Sequence, residues 1–197
     1  MMKRYGFTLI ELMVVALISL IILAVIFGVL SAGRQSWRTG STQVELQQET
    51  RKAMDWMVKE LRESGPAQAN ITGGGSIITF QVPVDWEPDG DVVDNNGNIE
   101  WGAEDNLGRS IQYLLGGLNN RQLLRKVLNG FPVGAQVGVD RILANNIRSD
   151  SPPPNALNFG DPRGDLTVIS IELTAQKDAI SGRTMQSILN SQVTLRN

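Results

Sequence analysis

The sequence predicts an α+β protein: a long N-terminal helix, transmembrane in its first half, packed on an antiparallel β-sheet domain. Three observations predict it. Residues 12–33 carry no charged side chain, 34–64 show apolar residues at helical spacing, and beyond Pro66 the period changes to the alternation of strands.

The first element is a short basic leader, Met1-Met2-Lys3-Arg4-Tyr5-Gly6, followed by Phe7-Thr8-Leu9-Ile10-Glu11 and an apolar run from Leu12 to Leu30. The 22 uncharged residues 12–33 make about 33 Å of helix, enough to cross a bilayer. The run exceeds the apolar stretch of a cleaved secretory signal, and Leu30-Ser31-Ala32 puts a large residue where a small one is preferred. A plain signal anchor fits the length but leaves Glu11 unexplained. A carboxylate inside an apolar segment costs roughly 2.5–3.5 kcal/mol near the helix centre and less toward its end, which marks Glu11 as functional. Lys3 and Arg4 before the span balance Arg34 and Arg38 after it, so charge alone does not orient it.

The helix is expected to continue to Ser64. Trp37, Val44, Met54, Met57, Val58 and Leu61 form an apolar stripe, with Arg51/Asp55, Asp55/Lys59 and Lys59/Glu63 spaced four apart on the solvated face. Ser64-Gly65-Pro66 stops it. Gly28, Gly33 and Gly40 are expected kinks or melted turns. The predicted strands are Ile77–Val82, Ser110–Leu115, Gln122–Leu128, Leu166–Ala175 and Thr184–Leu195. In the last, Met185, Leu189, Val193 and Leu195 face one way, and Gln186, Gln192 and Thr194 the other. Residues 116–120 and 177–182 read as hairpin connections, and Ser151-Pro152-Pro153-Pro154 with Asp161-Pro162 as a long surface loop. The organisation is a leader at 1–6, a transmembrane helix at 7–33, its amphipathic continuation at 34–64 and a globular antiparallel β domain at 65–197.

Composition narrows the chemistry. No cysteine is present among the 197 residues, which excludes disulfides and thiolate sites. No histidine is present either, which excludes the commonest general base and most transition-metal sites. Residues 63–108 hold nine carboxylates and no Lys or Arg, a charge of −9 against +7 elsewhere. The basic residues are scattered rather than clustered with aromatics, so no nucleic-acid partner is expected.

Gly6-Phe7-Thr8-Leu9-Ile10-Glu11-Leu12, behind the basic leader and before some twenty apolar residues, resembles the processing site of type IV prepilins and type II secretion pseudopilins. The resemblance implies cleavage between Gly6 and Phe7 by a prepilin peptidase on the cytoplasmic side, with N-methylation of Phe7. It also implies that Glu11 pairs with the Phe7 amine of a neighbouring subunit during assembly. More loosely, Arg51-Lys52-Ala53-Met54, Ile142–Ile147 and the closing strands resemble the J-type pseudopilin or the W-type minor pilin. On this resemblance the chain is a minor structural subunit of a type II secretion pseudopilus or type IV pilus, placed at the tip and not an enzyme. It would sit in the inner membrane with its C-terminal domain in the periplasm. Its partners would be membrane lipid, other pilins or pseudopilins, the peptidase and the inner-membrane assembly platform. The rival reading is a membrane-anchored periplasmic binding domain that never enters a filament; a carboxylate-pair glycosidase would need specific spacing that the sequence lacks.

The acidic segment 85–105 invites a calcium reading, with Asp89, Asp91, Asp94 and Asn96 as candidate ligands. An EF-hand register fails: with Gly97 as the turn glycine, Val92 falls at the first position and Ala103 at the twelfth. The alternative is a solvated or partner-facing acidic loop, and no cofactor is expected.

Overall fold

The computed structural model describes residues 8–86, 90–148, 155–178 and 184–196. The chain divides into two compact units, Met1–Gln43 and Val44–Asn197. Helix α1 spans Leu9–Glu63, and the first unit contains only its N-terminal part. That part is long and apolar enough to cross a membrane. The expected melted turns do not occur, because Gly28, Gly33 and Gly40 all lie within helical backbone. Among the described residues nothing approaches within 4 Å of the position a Cβ would take at any of the three.

In the second unit the last five turns of α1 carry the core stripe: Leu46, Thr50, Ala53, Met54, Met57 and Leu61 are buried. This is the seam expected of a helix lying on a sheet. It differs from the expected stripe at its start, since Trp37 and Val44 are exposed and Leu46 and Thr50 take the inward places. The Thr50 hydroxyl is satisfied by donating to the Leu46 carbonyl at 2.6 Å, so a polar residue fits the buried row. Arg51, Asp55, Lys59 and Glu63 lie on the exposed face as expected. The helix stops at the expected signal, where Pro66 begins a 3₁₀ turn.

Among the described residues eleven strands follow: β1 Ala69–Thr72, β2 Ile77–Phe80, β3 Val82–Pro83, β4 Trp101–Ala103, β5 Asn106–Leu107, β6 Ser110–Gly116, β7 Gln122–Asn129, β8 Ala135–Ala144, β9 Leu157–Gly160, β10 Val168–Asp178 and β11 Thr184–Thr194. They form a five-stranded sheet in the order β1-β2-β6-β7-β8, a three-stranded sheet β11-β10-β9 and a small sheet β3-β4-β5. All pairings are antiparallel. Their inward residues, including Ile78, Phe80, Ile111, Tyr113, Leu123, Phe159, Ile171, Leu173 and Val193, join the helix stripe in one apolar cluster.

The expected strand Ile77–Val82 is two strands in different sheets. The chain changes partner at Gln81, whose N–H donates to the Gln68 carbonyl at 3.0 Å. The expected start at Leu166 is displaced to Val168 because Leu166 sits at φ 57°, held there by its N–H donating to Asp161 Oδ2 at 3.0 Å. The 116–120 hairpin connection is observed between β6 and β7, and β10 and β11 pair antiparallel down to Asp178–Thr184. Residues 179–183 of that second connection, like the expected loop at Ser151–Pro154, lie outside the described residues.

Candidate functional site

The first turn of α1 is built by Thr8-Leu9-Ile10-Glu11. The Glu11 N–H donates to Thr8 Oγ1 at 3.4 Å and the Leu12 N–H to the Thr8 carbonyl at 3.3 Å. Thr8 is thus the N-cap, and Glu11 stands at the third helical position, the spacing of a capping box. This local role, which the Thr-x-x-Glu spacing signals, stands beside the intersubunit pairing that the family resemblance implies for Glu11. Beyond Thr8 the surface around Glu11 is apolar: Leu9, Ile10, Leu12 and Met13 are all at least 66% exposed. The apolar surface continues unburied to Leu30. An exposed apolar surface of this extent needs lipid or protein against it. The carboxylate at its head offers a negative charge and hydrogen-bond acceptors. Gly6 and Phe7 lie outside the described residues.

In the second candidate, the acidic segment, hydrogen bonds join the described residues. The Val84 N–H donates to the Glu100 carbonyl and the Glu100 N–H to the Val92 carbonyl, both at 2.9 Å. The buried Glu100 carboxylate accepts the Trp86 N–H at 3.0 Å. Asp94 closes the tip. Its Oδ1 accepts the N–H groups of Asn96 and Asn98 at 2.9 and 2.8 Å, and its Oδ2 takes the Asn98 amide at 3.2 Å. These bonds, the Asn98 backbone N–H foremost, hold the Asp94 carboxyl below its ordinary value. Of the four calcium candidates, Asp89 lies outside the described residues, and Asp94 is engaged by its own turn. Among the described residues no three acidic side chains converge on one point.

A third constellation, which the sequence did not reveal, ties α1 to the sheet. Glu60 on α1 receives the Tyr113 hydroxyl from β6 and Arg125 Nε from β7, the latter at 3.1 and 3.2 Å to its two oxygens. Arg125 Nη1 reaches Glu104 Oε1 at 2.8 Å. Glu104 and Asp105 form the two-residue turn of the β4–β5 hairpin, both at positive φ. Burial, then the neighbouring Glu60 charge, pushes the Tyr113 hydroxyl far above its usual value. Burial alone would lower Arg125, but its bonds to Glu104 and Glu60 outweigh this and raise it. All its members are engaged with one another, which is the arrangement of a structural clamp. Further ties are Lys177 Nζ to Glu45 Oε2 at 3.1 Å and the Asn145 N–H to Glu49 Oε1 at 2.7 Å.

No curated protein and no solved structure matches the chain. A family match exists at the end where the exposed apolar surface and Glu11 lie. Residues 1–33 carry the prokaryotic N-terminal methylation motif, which is characteristic of type IV pilins and pseudopilins.

Proposed function

We propose that the chain is a minor pilin or pseudopilin, a structural and assembly subunit rather than a catalyst. It would be stored in the inner membrane with its β domain in the periplasm and recruited into a type IV pilus or type II secretion pseudopilus. One observation carries this reading: the methylation motif coincides with an unburied apolar helix that bears one carboxylate, Glu11, in its first turn. In a bundle of such helices a carboxylate needs a cationic partner, and the methylated amine of Phe7 on a neighbouring subunit supplies one. Such a buried pair sets register more than it adds net stability. The β domain would then contact other minor subunits near the filament tip. A protein that stays in the membrane as a binding domain would share the anchor but have no use for cleavage and methylation at Phe7.

Processing tests the reading directly. Cleavage between Gly6 and Phe7 should leave a 191-residue chain with a methylated N-terminus. Gly6→Val should block it, because a branched side chain fills the space that bare backbone leaves to the peptidase. Intact-mass measurement distinguishes the products. A mature N-terminus near Ala32, or an uncut leader in a strain with active peptidase, would refute the proposal.

The acidic segment fits a partner-facing surface better than a cation site, because the Asp94 carboxylate is already occupied by Asn96 and Asn98. Millimolar Ca²⁺ should therefore leave the melting temperature of the full chain unchanged. A rise with concentration in the mass-action form for a ligand of the folded state, abolished by Asp94→Ala, would restore the calcium reading.

A further inference from the structure

Trp37 joins the apolar series of α1 by spacing, yet it is 79% exposed, and the core stripe begins only at Leu46. It lies in the unit that holds the apolar N-terminal part of the helix. Arg34 and Arg38 flank it, both exposed, and among the described residues neither makes an ion pair. The hydroxyls nearby are turned back on the helix. Thr39 Oγ1 donates to the Gln35 carbonyl at 2.9 Å, and Ser41 Oγ and Thr42 Oγ1 donate to the Arg38 carbonyl at 3.0 and 2.9 Å. What the segment offers outward is one indole and two guanidinium groups.

These three face one way. At 3.6 residues per turn, Trp37 falls about 60° to one side of Arg34 and Arg38 about 40° to the other, an arc of about 100°. An indole has an apolar body and a single N–H donor, and a guanidinium takes phosphate through two parallel hydrogen bonds. Such a set suits a boundary that is apolar on one side and rich in phosphate on the other.

Depth identifies the boundary. The uncharged residues 12–33 make about 33 Å of helix, or about 31 Å at a tilt of about 20°, close to the hydrocarbon thickness of about 30 Å. Helix α1 continues through residues 34–38 without a break, so Trp37 stands about 6 Å beyond Gly33. Each headgroup layer is about 5–7 Å deep. Trp37 therefore falls within it, Arg34 near its inner limit and Arg38 near its outer one, and long arginine side chains reach its phosphates from either level. From Glu11 to Trp37 the rise is about 39 Å, against about 40–45 Å for a whole bilayer. A span seated with Trp37 in one headgroup layer thus brings Glu11 to the other, away from the hydrocarbon centre where a carboxylate costs most.

We propose that Arg34, Trp37 and Arg38 form a docking surface for the headgroups of anionic phospholipid, which fixes the depth of the span. The guanidinium groups take the lipid phosphates, and the indole lies at the boundary between them and the acyl chains. Two unpaired cations one turn apart favour an anionic headgroup over a zwitterionic one, whose own ammonium offsets its phosphate. The inference rests on residues 12–33 crossing a bilayer and not on entry into a filament. If the leader is cleaved as proposed, Lys3, Arg4 and Tyr5 leave with it, and residues 34–38 are the basic and aromatic band that stays beside the span.

The test uses the full chain in vesicles of phosphatidylcholine and phosphatidylglycerol. The Trp37 signal is isolated as the fluorescence difference between each chain and the same chain carrying Trp37→Phe, which removes the contribution of the other three tryptophans. A nitroxide on the lipid headgroup should quench this component at least twofold more strongly than bromines halfway down the acyl chains. Acrylamide in the water should quench it at most a third as well as it quenches free tryptophan amide. With bromines on one lipid of an equal mixture at a time, phosphatidylglycerol should show at least a threefold preference beside Trp37. In Arg34→Gln with Arg38→Gln that preference should vanish, while the chain still floats with the vesicles and keeps its thermal transition. Equal quenching by the two brominated lipids, or a preference that survives the double change, would overturn the proposal. So would an indole as open to acrylamide as free tryptophan amide, the result expected if residues 34–38 meet a protein instead. A failure of cleavage between Gly6 and Phe7 would refute the filament reading and leave these results unaffected.

Discussion

Replacing Arg125 by Met is expected to destabilise the folded chain by about 3 kcal/mol, read as a lower denaturation midpoint in detergent. The guanidinium is 9% exposed and the carboxylate of Glu60 17%, so removing the cation leaves a mostly desolvated anion with only the Tyr113 hydroxyl to stabilise it. Glu104 adds less to this cost, because at 53% exposure it regains water when Arg125 is lost. Neutralising both partners, as Glu60→Gln with Arg125→Met, should cost clearly less than the sum of the single changes, since no isolated charge remains. Tyr113→Phe should cost about 1.5 kcal/mol by removing one donor to a charged acceptor. The pH dependence has a definite sign. In the fold Tyr113 keeps its proton far above its ordinary value of 10.0, whereas the unfolded chain loses it there. Its contribution is therefore complete below pH 10 and is lost as pH rises beyond it. Tyr113→Phe should flatten the alkaline limb of the stability curve. Additive single and double changes, or an unaltered alkaline limb, would mean that the three side chains do not act together.

That clamp was illegible in the sequence for a physical reason. Glu60 lies beside Lys59 and Glu63 in a charged stretch, and periodicity marks only which residues turn inward, not what they meet. Its partners are 53 and 65 residues away, and only the β6–β7 pairing brings them together. The fold class was more legible. Met54, Met57 and Leu61 set the helix period, Ser64-Gly65-Pro66 stopped it where it stops, and the alternation through β11 and on to Leu195 matches burial at Met185, Val193 and Leu195. Some of the unpredicted strands are too short to show a period, like the four-residue β9, and others do not alternate cleanly. β8 carries a bulge at Gly138 and exposes most of its length, and β1 is four residues beside three glycines. At the other end, Trp37 misled because a lone aromatic fits a helical stripe without being packed by one.

Glu11 carries the largest expected functional effect, and its two roles call for two substitutions. Glu11→Ala removes the anion and leaves Thr8-x-x-Ala in place of the Thr-x-x-Glu capping spacing, so it alters both the proposed pairing and the first-turn pattern. Glu11→Gln keeps shape, hydrogen-bonding capacity and the capping pattern, since Gln serves at that position as Glu does, and removes only the charge. Membrane insertion should be unchanged or slightly favoured in both, because each deletes a charge from an apolar segment. Leader cleavage should persist, because Gly6 and the basic residues are untouched. What should fail in both is incorporation. The neighbouring amine keeps its desolvation cost but loses the anion that offsets it, and a desolvated unpaired charge costs several kcal/mol, or a hundredfold or more in assembly. The expected phenotype is a processed, membrane-resident, folded protein that no longer copurifies with other pilin-like subunits. If Glu11→Gln assembled normally and only Glu11→Ala failed, the residue would matter as a helix cap, and the exposed apolar surface alone would set register. If both assembled at wild-type levels, the carboxylate would have no part in assembly.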